Sequence, residues 1–126
     1  MARVSRVPLS GASTGLPLLV TPVTTPGETV HVATTKKVNG YDLLTLHAQN
    51  NHTAAVDLSI EITDGTSTVT MLIAVPAKSV ANDLLKDLMI NEGVTVKAFA
   101  SSADKITLSG FCNQVDLHAA DPYALG

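Results

Sequence analysis

Apolar side chains recur at every second position in one stretch after another of this chain, and that period restricts it to strands. The clearest run is Val56 to Ile62, where Val56, Leu58, Ile60 and Ile62 alternate with Asp57, Ser59 and Glu61. Successive side chains of a strand point to opposite faces, so this pattern places one face in a core and the other in water. Asp64-Gly65 then supplies a hairpin turn. Beyond it Val69, Met71, Ile73 and Val75 alternate with Thr68, Thr70 and Leu72 until Pro76, which has no amide hydrogen to donate, ends the ladder. These two strands are expected to pair antiparallel.

The same period appears from Asn91 to Val115, which reads as a hairpin of two long strands. Val94, Val96, Ala98 and Ala100 form one inner face, Ser101 to Asp104 the turn, and Ile106, Leu108, Gly110 and Cys112 the second inner face. A glycine in mid-strand weakens the strand unless space demands it, so Gly110 marks a bulge or the close approach of another backbone. In Tyr41 to Asn50 the core set is Leu44, Leu46 and Ala48. In Glu28 to Thr34, Thr29, His31 and Ala33 alternate with Val30, Val32 and Thr34, and Asn39-Gly40 closes a turn after it. Leu16 to Thr21 can enter a sheet, whereas Pro22 and Pro26 make Thr21 to Gly27 a connector or an edge. Lys78 to Ile90 is ambiguous. Leu84, Leu85, Leu88 and Met89 have helical spacing, but there is room for only about three turns. Strands on both sides favour an irregular strand or short turn.

Seven to eight strands with frequent turn residues and no α/β alternation predict an all-β fold. The expected form is an antiparallel β-sandwich of jelly-roll or immunoglobulin-like order. The expected organisation is an extended N-terminal arm over 1–15, the sandwich over 16–116 and a C-terminal tail over 117–126. Two Phe, two Tyr and no Trp require an aliphatic core and leave little material for base-stacking platforms or aromatic sugar troughs. A net charge of −3 with scattered basic residues argues against nucleic acid, and no stretch approaches the ~20 apolar residues that span a bilayer. The N-terminal residues have no apolar signal core, so no secretory leader is expected. Cys112 is the one cysteine, which excludes an intrachain disulfide, fits a reducing compartment and reads as packing.

No arrangement of residues spells out a reaction. His31, His47, His52 and His118 share no H-x-H or H-x-x-x-H spacing, although His47 and His52 flank a turn and could approach; neither a metal nor a cofactor is expected. Asp57 and Glu61, about 13 Å apart by strand rise, read as a solvated face rather than an acid–base pair. No serine sits in a G-x-S-x-G elbow, and no enzyme is expected. Asn51-His52-Thr53 matches the loose glycosylation triplet in a predicted loop.

Taken together, LPLLVTPVTTPGETVHVAT, LLTLHAQNNHTAAVDLSIEI and GVTVKAFASSADKITLSGFCNQV resemble small structural proteins of tailed bacteriophages. The resemblance covers about Leu16 to Val115 and consists of strand and turn patterns. The family pattern continues to a basic residue after the last strand, where this chain has Asn113-Gln114-Val115-Asp116. What the resemblance implies is a capsid decoration, or cement, protein: a non-enzymatic homo-oligomer, with a trimer favoured. It would be made in the bacterial host cytoplasm and bound to the major capsid protein on the virion surface. Arg3, Arg6 and Val7 at one end and Tyr123 at the other are the expected contacts. The alternatives are a head-to-tail connector or tail component, or a module binding host-surface glycans.

Overall fold

The structure, a computed structural model, describes residues 3–34 and 39–117. They form nine strands: β1 (Arg3–Val7), β2 (Leu18–Leu19), β3 (Glu28–Val32), β4 (Gly40–Asn50), β5 (Val56–Thr63), β6 (Thr68–Val75), β7 (Val80–Ile90), β8 (Thr95–Ala100) and β9 (Ile106–Asp116). A 3-10 turn, Ser10–Ala12, follows β1. One sheet has the order β1-β9-β4-β7, with the two-residue β2 pairing the start of β9, and the other has the order β3-β8-β5-β6. Every pairing is antiparallel. From β2 onward, only β5 and β6 are both consecutive and paired; every other link crosses between the sheets. That order is a jelly roll, since an immunoglobulin-like sandwich keeps several sequential hairpins.

The core lies between the sheets and is aliphatic. Leu44, Leu46, Leu58, Ile60, Ile106 and Leu108 are all fully buried there. Asn50 is also fully buried, and its side chain ties the chain crossing after β4 to the end of β6. Its Nδ2 donates to the carbonyls of Ala54, Val75 and Pro76, while its Oδ1 accepts from the amide of His52.

The segment from Asn91 to Val115 is not a hairpin. Its two strands belong to opposite sheets, so Val96, Ala98 and Ala100 look across the core towards Ile106 and Leu108. The connecting backbone is tied to other elements: Ala100 N–H donates to Pro22 O, Ser101 N–H to Asp57 O and Asp104 N–H to Val20 O. Asn39-Gly40 does not close a hairpin either, because β3 and β4 also lie in opposite sheets; residues 35–38 of that turn lie outside the described residues.

Gly110 is a close approach rather than a bulge. The β4–β9 register runs unbroken through the Leu46–Gly110 pair, and a Cβ on Gly110 would lie 2.1 Å from the Thr45 carbonyl oxygen.

The alternation expected in β3 fails because its register shifts between Thr29 and His31, which buries both Val30 and His31. The wet face expected for β5 is also covered in part. Asp57 is exposed, but Glu61 is only 9% exposed and accepts from Gly27 N–H at 2.9 Å and Thr25 Oγ1 at 2.8 Å. The proline-containing connector therefore packs over β8 and β5, with Gly27 pressed against the Ala98 backbone.

The N-terminal segment, expected as an extended arm, pairs with the sandwich where it is described. Arg3 to Val7 pair with Asp116 to Cys112 of β9, Leu9 is buried in the core, and Gly11 lies against the Thr29 and Val30 carbonyls. Of the expected tail, Leu117 donates its amide to Asn39 O, and the remainder lies outside the described residues.

β7 explains the ambiguous helical spacing. Leu44, Leu46 and Ala48 of β4 face Leu88, Leu85 and Ala81, so the same length of β4 is matched by extra residues on β7. Asp83 and Asp87 absorb the excess with φ of 52° each, a conformation that a short polar side chain tolerates better than a branched one. The inward positions are then unevenly spaced, which imitates a helical face in the sequence.

Candidate functional site

The bulges of β7 shape a groove of about 370 Å³ on the outer face of the β1-β9-β4-β7 sheet. β4 supplies its floor through Thr45 and His47. Each of these side chains takes one of the backbone amides displaced by the bulges: Thr45 Oγ1 accepts from Asp87 N–H at 3.2 Å, and His47 Nδ1 accepts from Asp83 N–H at 3.0 Å. The amide bond to His47 Nδ1 places the neutral ring's proton on Nε2. The 3.7 Å separation between Nδ1 and Asp83 Oδ1 is accordingly not an ion pair in that tautomer.

The opposite wall is built by β1 and β9. Arg6 lies over Phe111, with Cζ 4.1 Å from the ring centroid, and its Nε donates to Asn113 Oδ1 at 3.2 Å. The ring and the amide fix the guanidinium in place while Arg6 remains exposed. Lys86 completes a rim of mixed sign with Asp83 and Asp87. The groove can therefore receive a chain that offers carboxylate or carbonyl oxygens to Arg6 and donors to the two aspartates.

A second polar constellation is sealed inside. His31, Asp42 and Cys112 place one ligand-type atom each within 4.8 Å of one another, and all three residues are buried. β3 contributes the histidine from one sheet, β4 and β9 the other two from the facing sheet. His31 Nε2 lies 2.8 Å from Asp42 Oδ2, which also accepts from Thr34 N–H at 3.1 Å. His31 Nδ1 accepts from Ser10 N–H at 3.0 Å, so the neutral ring carries its proton on Nε2 and donates it to Asp42. A metal at Nε2 would require that proton to leave, making the ring an imidazolate beside a buried carboxylate. The donor set therefore suits a polar pin between the sheets better than a metal centre.

Asp42 Oδ1 is buried without a hydrogen-bond partner, and the Cys112 thiol lies within 4.8 Å of the Asp42 carboxylate. Burial first, and the negative charge of Asp42 second, push that thiol up from 9.0 to about 12. This is the reverse of nucleophile activation, which needs a stabilised thiolate. At pH 8, native protein should react with an aromatic disulfide reagent about a thousandfold more slowly than a free thiol with its pKa at the ordinary value. Denaturant should release rapid, stoichiometric labelling. Native labelling at the denatured rate would refute a sealed thiol.

The sequence-derived contact residues are dispersed. Arg6 reaches the groove; Arg3 lies exposed opposite Asp116; Val7 is half-buried opposite Cys112. Tyr123 and His118 lie outside the described residues. His52 sits in the crossing after β4, apart from the groove occupied by His47. Residue spacing missed both constellations because each joins strands distant in sequence. The usable clue was the Thr45 and His47 pair on one face of β4, opposite a strand containing two aspartates four residues apart.

No family model matches the chain, and no curated protein matches it. Among solved structures, Eiger TNF from S. frugiperda is similar over 98% of this chain and 90% of its own, at 13% identity and a TM-score of 0.38.

Proposed function

We propose that this chain is a non-enzymatic virion structural protein that decorates and stabilises a bacteriophage capsid, binding the major capsid protein as a homo-oligomer. The phage origin, the shell partner and the favoured trimer rest on the sequence resemblance. The structural observation that best supports a protein-binding role is the pairing of Arg6 with Phe111 at an open groove. An arginine seated over an aromatic ring and anchored by Asn113 is ordered before binding, so less side-chain freedom is lost when a partner arrives.

Cryo-EM of the parent particle tests the assignment. Density on the outer capsid at three-fold positions is the expected result; a ring at the vertex would favour a connector, and absence from particles would overturn both. Arg6→Ala and Phe111→Ala should each lower shell affinity by about tenfold or more, read as occupancy in co-sedimentation with undecorated shells. Unchanged occupancy for both variants would remove the groove from the contact. Point substitutions suit this test better than deletion of residues 1–15, which would also remove β1 and buried Leu9.

A further inference from the structure

The two sheets expose four outer strands, and three of them carry features that discourage pairing with another chain. β7 is bulged and bears Asp83, Lys86 and Asp87. β1 has five residues, of which Arg3 and Arg6 are charged. β3 is short, shifts register, and has the Ser10–Ala12 turn laid on it, with Ser10 Oγ accepting from Val32 N–H at 2.7 Å.

β6 has none of these devices. Its sequence, TVTMLIAV, contains no charge, proline or glycine, and its eight residues pair with β5 without a register shift. Val69, Met71, Ile73 and Val75 share the face directed into the sandwich, yet Val69 remains 64% exposed; on the other face Leu72 is 70% exposed. An uncharged edge whose outward backbone groups have no partner among the described residues is a template for another strand.

We infer that the β6 edge pairs antiparallel with β6 of a second copy of this chain about a two-fold axis. A two-fold antiparallel pairing of identical strands centred on a residue keeps inward side chains opposite inward ones and outward opposite outward ones. Charge favours this occupant. Asp64 lies just before β6 and Lys78 just after it, both exposed, so an antiparallel partner brings the acidic end of each copy to the basic end of the other. Centring on Met71 sets Val69 against Ile73, places Thr70 opposite Leu72 and brings the turn that carries Asp64 in each copy to the turn that carries Lys78 in the other. A parallel partner would instead align like charges. Pairing joins two four-stranded sheets into one of eight and covers the open edge at Val69 and Leu72. This contact is independent of capsid binding and adds a two-fold element to the proposed assembly.

Sedimentation equilibrium and native mass spectrometry of the full chain should show an even number of copies. The Thr70→Lys/Leu72→Lys double variant, changed only at exposed positions, should halve that number while retaining the far-ultraviolet spectrum and thermal transition of a folded protein. Met71→Cys should form an intermolecular disulfide on mild oxidation, because opposed Cα atoms in such a pair lie about 4.5–5.5 Å apart; Cys112 is sealed in the core. A chain that stays monomeric, that dimerises only after removal of residues 118–126, or that forms an oligomer unaffected by the double lysine variant overturns the inference. Loss of shell binding by Arg6→Ala with the two-fold contact intact would bear on the capsid assignment alone.

Discussion

Replacing Gly110 with alanine is expected to lower the unfolding free energy by about 3 kcal/mol or more, corresponding to a fall of roughly 10 °C in the melting temperature. The new methyl would sit 2.1 Å from the Thr45 carbonyl oxygen and 3.2 Å from the Leu46 Cα, both backbone atoms that cannot rotate away. Relief requires β4 and β9 to separate at the middle of their longest pairing. It would also shift Thr45, whose hydroxyl holds the amide of Asp87, and so disturb the floor of the groove. Gly65→Ala is the informative comparison. Gly65 has a φ of 94° with open space around it, so alanine there meets conformational strain but no collision, with an expected cost of about 1 kcal/mol. Chemical denaturation of both variants provides the measurement. Equal losses would mean that close strand approach is not what requires Gly110.

That glycine also illustrates what a single sequence can reveal. Its position inside an alternating strand identified a local steric demand, but the atom imposing the demand came from β4, more than sixty residues away. The same limit recurs elsewhere. Alternation in β5 and β6 located both strands and the Asp64-Gly65 hairpin because their pairing is local. Alternation in β8 and β9 located the strands but suggested the wrong connection, since inward residues look alike whether two strands share a sheet or face each other across the core.

Glu61 shows the converse problem. Its place on the polar face of β5 was readable, whereas its burial depends on Thr25 and Gly27 in a separate connector. β7 was obscured for a third reason: its bulges break the period on which strand recognition depends. The groove inherits that obscurity, because its bulges expose the amides held by Thr45 and His47. The inner pin was harder still to foresee. It gathers one residue from each of β3, β4 and β9, and even the register that buries His31 is irregular.

Asp42→Ala should destabilise the protein by about 3 kcal/mol or more, because it leaves the buried His31 Nε2–H without its acceptor and removes the acceptor of the half-buried Thr34 N–H as well. His31 Nε2–H and Thr34 N–H both end on Asp42 Oδ2. Asp42→Asn should cost less, since its amide oxygen can take the same two donors while the net charge disappears. The two variants can also be separated by the alkaline behaviour of Cys112. In the native protein the thiol is pushed up from 9.0 to about 12, so the folded state retains the proton that the unfolded chain loses. Its stabilising contribution is fully present below pH 9 and is lost as pH rises from there towards 12. Neutralising Asp42 removes part of the cause and brings the folded thiol back towards its ordinary value. The loss of stability across that pH range should then be smaller in Asp42→Asn than in the parent chain, despite the variant's lower stability at neutral pH. Denaturant titrations from pH 8 to 11 measure this difference. Parallel declines in the two proteins would show that Asp42 holds His31 and Thr34 without acting electrostatically on Cys112.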